Sequence, residues 1–188
     1  MNQEWVKRNL GSICRVTAGQ SPKGIYYNVD GIGLPFYQGK KEFQDKYIGK
    51  PKKWTSVITK EANKEDILMS VRAPVGPINF ATEHICIGRG LAAITSGREV
   101  DKEFLYNFLL NYESQIIGNA GAVFNSINKS QIEDIPILLP SLKQQKQIVD
   151  KLDQAFAAID TAKLNVEKNL ENAKELFQSK LNEAFSQK

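Results

Sequence analysis

The chain has 188 residues, of which 41% are hydrophobic and 24% charged, with a formal net charge of +4. This is the balance of a soluble protein with a core, and the length allows one compact domain plus an appendage but hardly two full domains. No stretch approaches the ~18 consecutive apolar residues of a membrane span, and Met1–Arg8 lacks the apolar run of a secretory signal, so the expected location is the cytoplasm.

Residues 1–139 are rich in Gly and Pro and carry short apolar runs, whereas residues 141–188 contain neither Gly nor Pro. The change in composition predicts a globular domain over 1–139 and a helical segment over 140–188. In the first region, Ser12–Thr17, Asp66–Arg72, Pro77–Phe80 and Leu91–Thr95 have the length and β-branched content of strands. Cys14 and Cys86 match no metal-ligand spacing and read as small buried hydrophobes. Between Gly39 and Lys53, Lys40, Lys41, Lys46, Lys50, Lys52 and Lys53 face only Glu42 and Asp45, so the excess positive charge is concentrated there. Glu65-Asp66 reads as a solvated turn before a strand. Asp101 caps a predicted helix that carries Phe104, Leu105, Phe108, Leu109, Tyr112 and Ile116 at helical spacing and stops near Gly118. Ser130 and Glu133 have the spacing of a capping box for a short helix. The fold class predicted is α+β, a mixed globular domain followed by one long C-terminal helix.

That helix is expected from about Leu142 to Ser186, opened by a capping box of Ser141 with Gln144. At 1.5 Å per residue it extends roughly 65–70 Å. Val149, Leu152, Phe156, Ile159, Val166, Leu170, Ala173, Phe177 and Ala184 recur at alternating three-four spacing, interrupted by Lys163 and Lys180, which is an imperfect heptad pattern. A small domain cannot cover so long a stripe, and the sequence holds no second long helix. The expected partner is a second copy of the chain, in a coiled-coil homodimer. An antiparallel arrangement keeps the seam lysines of the two copies apart. The alternative is a helix packed along its own domain.

Groups suited to catalysis are sparse. His84 is the sole histidine and reads as structural. Gly88-Arg89-Gly90 is only a fragment of a phosphate-binding loop, and there is no Walker motif, zinc spacing or nucleophile elbow. Binding is expected rather than catalysis, and no metal site.

Several segments carry a family resemblance. Trp5-Val6 with Leu10-Gly11-Ser12-Ile13 and Gly19-Gln20-Ser21-Pro22, then Asp66–Arg72 with Val75-Gly76, resemble the opening and central strand of a target-recognition domain. Ser130-Gln131-Ile132 through Ile135-Pro136-Ile137, then Leu139-Pro140-Ser141-Leu142, Gln145, Ile148-Val149 and Leu152, resemble the exit into a conserved helix. Together they are similar to the specificity subunits of type I restriction-modification enzymes, with Gln144-Gln145 standing where that family usually has a Glu-Gln pair. The resemblance implies a non-catalytic subunit that binds double-stranded DNA and recruits a methylation (M) subunit and a restriction (R) subunit. Those partners would supply the S-adenosylmethionine, ATP and magnesium chemistry, and this chain would bind no cofactor. Full subunits of the family carry two recognition domains and two helices. With one of each here, a natural half-subunit or a fragment is expected, and a half-subunit would pair to rebuild the two-domain form. Its target would then be a bipartite palindrome.

For such a role, Lys40, Lys41, Lys52 and Lys53 suit phosphate contacts. Lys23, Tyr26, Tyr27, Gln38, Arg72, Arg89, Asn125 and Lys129 are candidates for base readout, since Arg pairs with guanine and Gln or Asn with adenine. Each has a plainer alternative, a solvated loop for the lysines, a structural role for Arg72 and the core for Tyr26. The competing functions are a stand-alone nucleic-acid-binding regulator and a coiled-coil scaffold whose head binds protein.

Overall fold

The computed structural model of the chain describes residues 5–118 and 126–186. It divides into two compact units, 1–146 and 147–188.

The first unit opens with β1 (Val6–Asn9), the single helical turn α1 (Leu10–Ile13) and β2 (Cys14–Ala18). Two short strands, β3 (Tyr27–Asn28) and β4 (Leu34–Tyr37), precede β5 (Trp54–Thr55), β6 (Glu61–Ala62), β7 (Ile67–Ser70), β8 (Ile78–Phe80), β9 (Ile85–Ile87) and β10 (Leu91–Ser96). Helix α2 (Lys102–Gly118) follows, then α3 (Lys129–Glu133), β11 (Pro136–Leu139) and α4 (Leu142–Ser186). The expected strand at Ser12–Thr17 therefore starts two residues late, because Leu10–Ile13 coils first and buries Leu10 and Ile13.

Two sheets carry the core. One runs in the order β2-β10-β7-β8 and the other β3-β5-β4-β9-β6, while β1 pairs with β11 in a separate ribbon. Among the described strands, every pairing is antiparallel except β4 with β9, which aligns Phe36 with Cys86 and Tyr37 with Ile87. Leu68, Leu91 and Ala93 of the first sheet meet Tyr37, Ala62, Ile85 and Ile87 of the second in one buried cluster, with Ile48 and Ala81. Because β7 is buried on both faces, Ile67, Leu68 and Met69 follow one another with no polar alternation, and the buried Ser70 closes the strand. The Phe80 ring of β8 stacks on Tyr106 of α2 at 4.6 Å. Both cysteines lie in the core, and burial pushes the Cys14 thiol up to about 11, so it stays a neutral hydrophobe.

Helix ends follow local chemistry. Asp101 Oδ1 accepts the N–H groups of Glu103 and Phe104 at 2.9 and 3.1 Å, capping α2 as expected. Ser141 and Gln144 form the predicted box at the start of α4, where Gln144 Oε1 accepts from Ser141 N at 3.1 Å. The box of α3 is shifted. Asn128, not Ser130, is the cap, exchanging 2.9 Å hydrogen bonds with Gln131. The frame moves by two residues because Asn128 remains extended while Lys129 has already entered the helix. Asn128→Ala should therefore cost about 1 kcal/mol in a denaturant titration, whereas Ser130→Ala leaves the midpoint nearly unchanged. Glu65 does sit in a turn, at φ +72°, but Asp66 is buried and accepts from Asn63 N at 2.8 Å rather than facing solvent.

Candidate nucleic-acid interface

The chain changes sheets twice in the same place. β2 belongs to one sheet and β3 to the other, and the segment between them is held by Gly19 N to Leu91 O at 2.9 Å and Gln20 N to Ile87 O at 3.0 Å. β9 passes to β10 through Gly88-Arg89-Gly90, a turn closed by Leu91 N to Gly88 O at 3.0 Å. The ends of β4 and β7 arrive at the same junction, since Gln38 O accepts from Gly90 N and Gly90 O from Val71 N, both at 3.0 Å. Val71 O in turn accepts from Ile127 N at 3.0 Å, and Arg72 bridges Ser126. A continuous hydrogen-bonded line thus runs through segments far apart in sequence.

Glycine is required at this line. A Cβ on Gly90 would lie 2.5 Å from Gln38 O, and one on Gly88 would lie 2.9 Å from Gln38 Cα. The triplet is no phosphate loop. It is a close crossing that places Arg89 at the surface between two buried glycines.

Two clefts flank the line. One, of about 390 Å³, is lined by Tyr27, Phe36, Gln38, Lys40, Lys52 and Lys53, among others. The other, of about 250 Å³, gathers Arg72, Arg89, Ser126, Asn128 and Lys129. Tyr27 and Phe36 stack at 4.7 Å, and Lys53 Nζ sits 5.9 Å from the Tyr27 ring centre. Burial holds the Tyr27 phenol above its ordinary range, so it remains a donor, to Pro22 O at 2.9 Å. Lys23 and Tyr26 occupy the adjoining turn at residues 23–26, exposed, and line neither cleft. Asn125 lies outside the described residues.

The basic segment is anchored rather than loose. Asn79, fully buried, donates to Gln44 O and accepts from Gln44 N, both at 2.8 Å, while Tyr37 OH donates to Gly49 O at 2.9 Å. Lys46 differs from its neighbours. It pairs with Glu103 at 2.9 Å and lies about 6 Å from the Tyr47, Phe80 and Tyr106 rings, so it serves the fold. Lys40, Lys41, Lys52, Lys53, Arg72 and Arg89 make no ion pair among the described residues, while Lys129 holds Glu133 at 3.4 Å. Lys50 of the basic segment and the exposed Tyr47, which sequence reading does not single out, join Lys41 and Lys52 around a third, larger cleft of about 770 Å³. Glu42 and Glu83 line these clefts too, but neither forms an ion pair with a lysine among the described residues, and cations left unpaired suit an anionic polymer.

His84 pairs with Glu61 at 2.5 Å on the surface. Among the described residues, no three His, Cys, Asp or Glu side chains are grouped to hold a metal, and no helix is long and apolar enough to cross a membrane. In the second unit, Phe156, Ile159, Val166, Leu170 and Phe177 are exposed, from 48 to 66%, while Leu152 is half-buried and Val149 buried.

Comparison with known proteins gives a consistent picture. The model of the family described as type I restriction modification DNA specificity domain matches residues 2–172. The chain is 41% identical over 177 residues to the MjaX type I restriction enzyme specificity subunit of Methanocaldococcus jannaschii, covering 92% of this chain and 41% of that protein. It is 23% identical over 172 residues to the EcoBI specificity subunit of Escherichia coli, covering 89% and 35%. The HsdS subunit crystal structure from Thermoanaerobacter tengcongensis is similar at a TM-score of 0.78 and 37% identity, over 86% of this chain and 39% of that one. A chain from a structural study of type I R-M system assembly and conformational transition is similar at 0.85 and 37%, over 98% and 46%. The chain thus spans less than half the length of each of these proteins.

Proposed function

From the premise that the chain belongs to the type I restriction-modification DNA specificity family, we propose that it binds double-stranded DNA at the junction of its two sheets and selects the sequence acted on by partner subunits. The observation that carries this is that Gln38, Arg72 and Arg89 meet at one hydrogen-bonded line while the ion-pair-free lysines Lys40, Lys41, Lys52 and Lys53 line the cleft beside it. The lysines take phosphates and set position, and the polar groups at the junction meet base edges. Catalysis belongs to the methylation and restriction subunits it recruits, which bring S-adenosylmethionine, ATP and magnesium.

A second copy of the chain completes the unit. The uncovered stripe from Phe156 to Phe177 supports this, because it needs a facing helix. Two identical heads about a twofold axis read two identical half-sites in inverted orientation, roughly 34–36 Å apart or a multiple of that spacing. The modified motif in cells carrying the system should then be a bipartite palindrome, and an asymmetric motif would count against pairing with a second copy. Co-purification with a methylation subunit separates this function from that of a stand-alone regulator.

The phosphate assignment has a direct test. Lys52→Ala with Lys53→Ala should weaken binding to all duplexes alike and lower the slope of log affinity against log salt by roughly two. An unchanged slope, measured by fluorescence anisotropy, would take both lysines out of the interface.

A further inference from the structure

One polar cluster on the candidate surface is wired so that its internal hydrogen bonds decide which atoms face outward. Ser21 Oγ accepts the Arg89 N–H at 3.2 Å and donates its single proton to Gln38 Oε1 at 2.8 Å. The same carbonyl end of Gln38 is crowded by Gly88, where a Cβ would lie 2.9 Å from Oε1. The Gln38 backbone is fixed as well, by Gly90 N to Gln38 O at 3.0 Å. With the carbonyl end engaged inward, turning the amide would take from the Ser21 proton its acceptor in this cluster, so Nε2 is the end left for a ligand. Gln38 is exposed, and so is Arg89, whose guanidinium meets no carboxylate among the described residues. The outward groups of the pair are therefore donors. A guanidinium has no acceptor, and the amide turns its acceptor toward Ser21.

We propose that Ser21, Gln38 and Arg89 form a donor-only reading head for the major groove, with Ser21 as the positioning residue. This rests on the DNA-binding function proposed above and adds what is read. Arg89 takes O6 and N7 of a guanine in a bidentate contact. Gln38 Nε2 takes the acceptor of the neighbouring base, which adenine, guanine and thymine all offer in the major groove. Cytosine offers only its N4 donor there, so donor meets donor and cytosine is rejected. Glutamine that is free to turn reads adenine through one donor and one acceptor together, and it tolerates cytosine by presenting its oxygen. The hydroxyl of Ser21, which donates to Oε1, opposes that turn without touching DNA itself.

The experiment is selection from a randomised duplex pool by the full chain, followed by sequencing of the bound fraction, for the unaltered chain and four variants. The unaltered chain should enrich a guanine followed or preceded by a base other than cytosine. Arg89→Ala should lower the preference for that guanine by about tenfold or more. Ser21→Ala should keep the guanine but admit cytosine beside it, with the salt slope unchanged because every phosphate partner stays in place. Ser21→Thr, which restores a hydroxyl, should exclude cytosine again. Gln38→Met removes the amide, and with it the acceptor of the Ser21 proton, and should also admit cytosine, which keeps the test decisive if Ser21→Ala fails to fold. A motif left intact by Arg89→Ala, Ser21→Ala and Gln38→Met would overturn the reading head alone. No enriched motif with the unaltered chain would overturn the DNA-reading function, and the reading head with it.

Discussion

Gln145→Met should lower the unfolding free energy by about 2–4 kcal/mol in urea, with the slope of the transition unchanged. Gln145 is fully buried, an unusual place for a glutamine. Its Oε1 accepts from Asp101 N at 2.7 Å, and its Nε2 donates to Glu99 O at 3.0 Å and Pro140 O at 2.8 Å. One side chain thus joins the cap of α2, the turn before it and the first turn of α4, all within the first unit. Methionine keeps the volume and the unbranched shape but supplies none of the three bonds. The bond to the Pro140 carbonyl is buried, and an orphaned buried group costs about 1–3 kcal/mol by itself. The two partly buried partners add less, because solvent reaches them. Gln144→Ala, one residue earlier on the same turn, removes only the capping-box arm and should cost about 1 kcal/mol. Equal losses for the two variants would mean that the buried network adds nothing beyond capping.

Gln145 also shows how far the sequence can be read. A glutamine near the start of a predicted helix is ordinarily a solvated residue, and nothing in its spacing announces three partners, one of them 46 residues away. Local signals, in contrast, transfer well. The strands at Ile67–Ser70, Ile78–Phe80 and Leu91–Ser96 and the ends of α4 are legible because a β-branched run or a Ser-x-x-Gln cap acts over a few residues. The two-residue strands β3, β5 and β6 are not, since they exist only through long-range pairing and show no alternation of their own. The candidate site divides in the same way. Residue types and charge density point to Gln38, Arg89 and the lysines. Their meeting depends on the parallel pairing of β4 with β9, 50 residues apart, which no local pattern encodes. Gly88-Arg89-Gly90 is visible as a triplet, but by itself it resembles only a broken phosphate loop. Its position between two apolar β-runs, Ile85–Ile87 and Leu91–Ser96, is the available sign of a strand crossing.

Phe156→Glu with Ile159→Glu should halve the mass measured by light scattering and lower affinity for the full bipartite site by about 100-fold or more, leaving the melting of the first unit unchanged. Both side chains are about half exposed in the single chain, and burying an aromatic or branched aliphatic side chain fully stabilises by about 1.5–3 kcal/mol. Five such residues from Phe156 to Phe177, facing five more, therefore supply enough to hold two helices together even when burial is incomplete. A pair of glutamates in the seam takes two apolar side chains per chain out of the interface. It also presses carboxylates against apolar partners, and this desolvation costs more than the missing apolar burial. In the proposed pair Lys163 and Lys180 would limit the register, and Lys180 holds Glu183 on its own helix at 2.6 Å. The effect on DNA follows from linkage between heads. Two half-sites bound by the proposed pair would gain an effective concentration that separate heads lack, a factor of about 10² to 10⁴. Each monomeric head should still bind a single half-site with its own salt slope and base preference, because the cluster around Gln38 and Arg89 lies in the other unit. A doubled mass and full-site affinity that both survive the substitutions would place the stripe outside any pairing, and the half-sites would then need another source of symmetry.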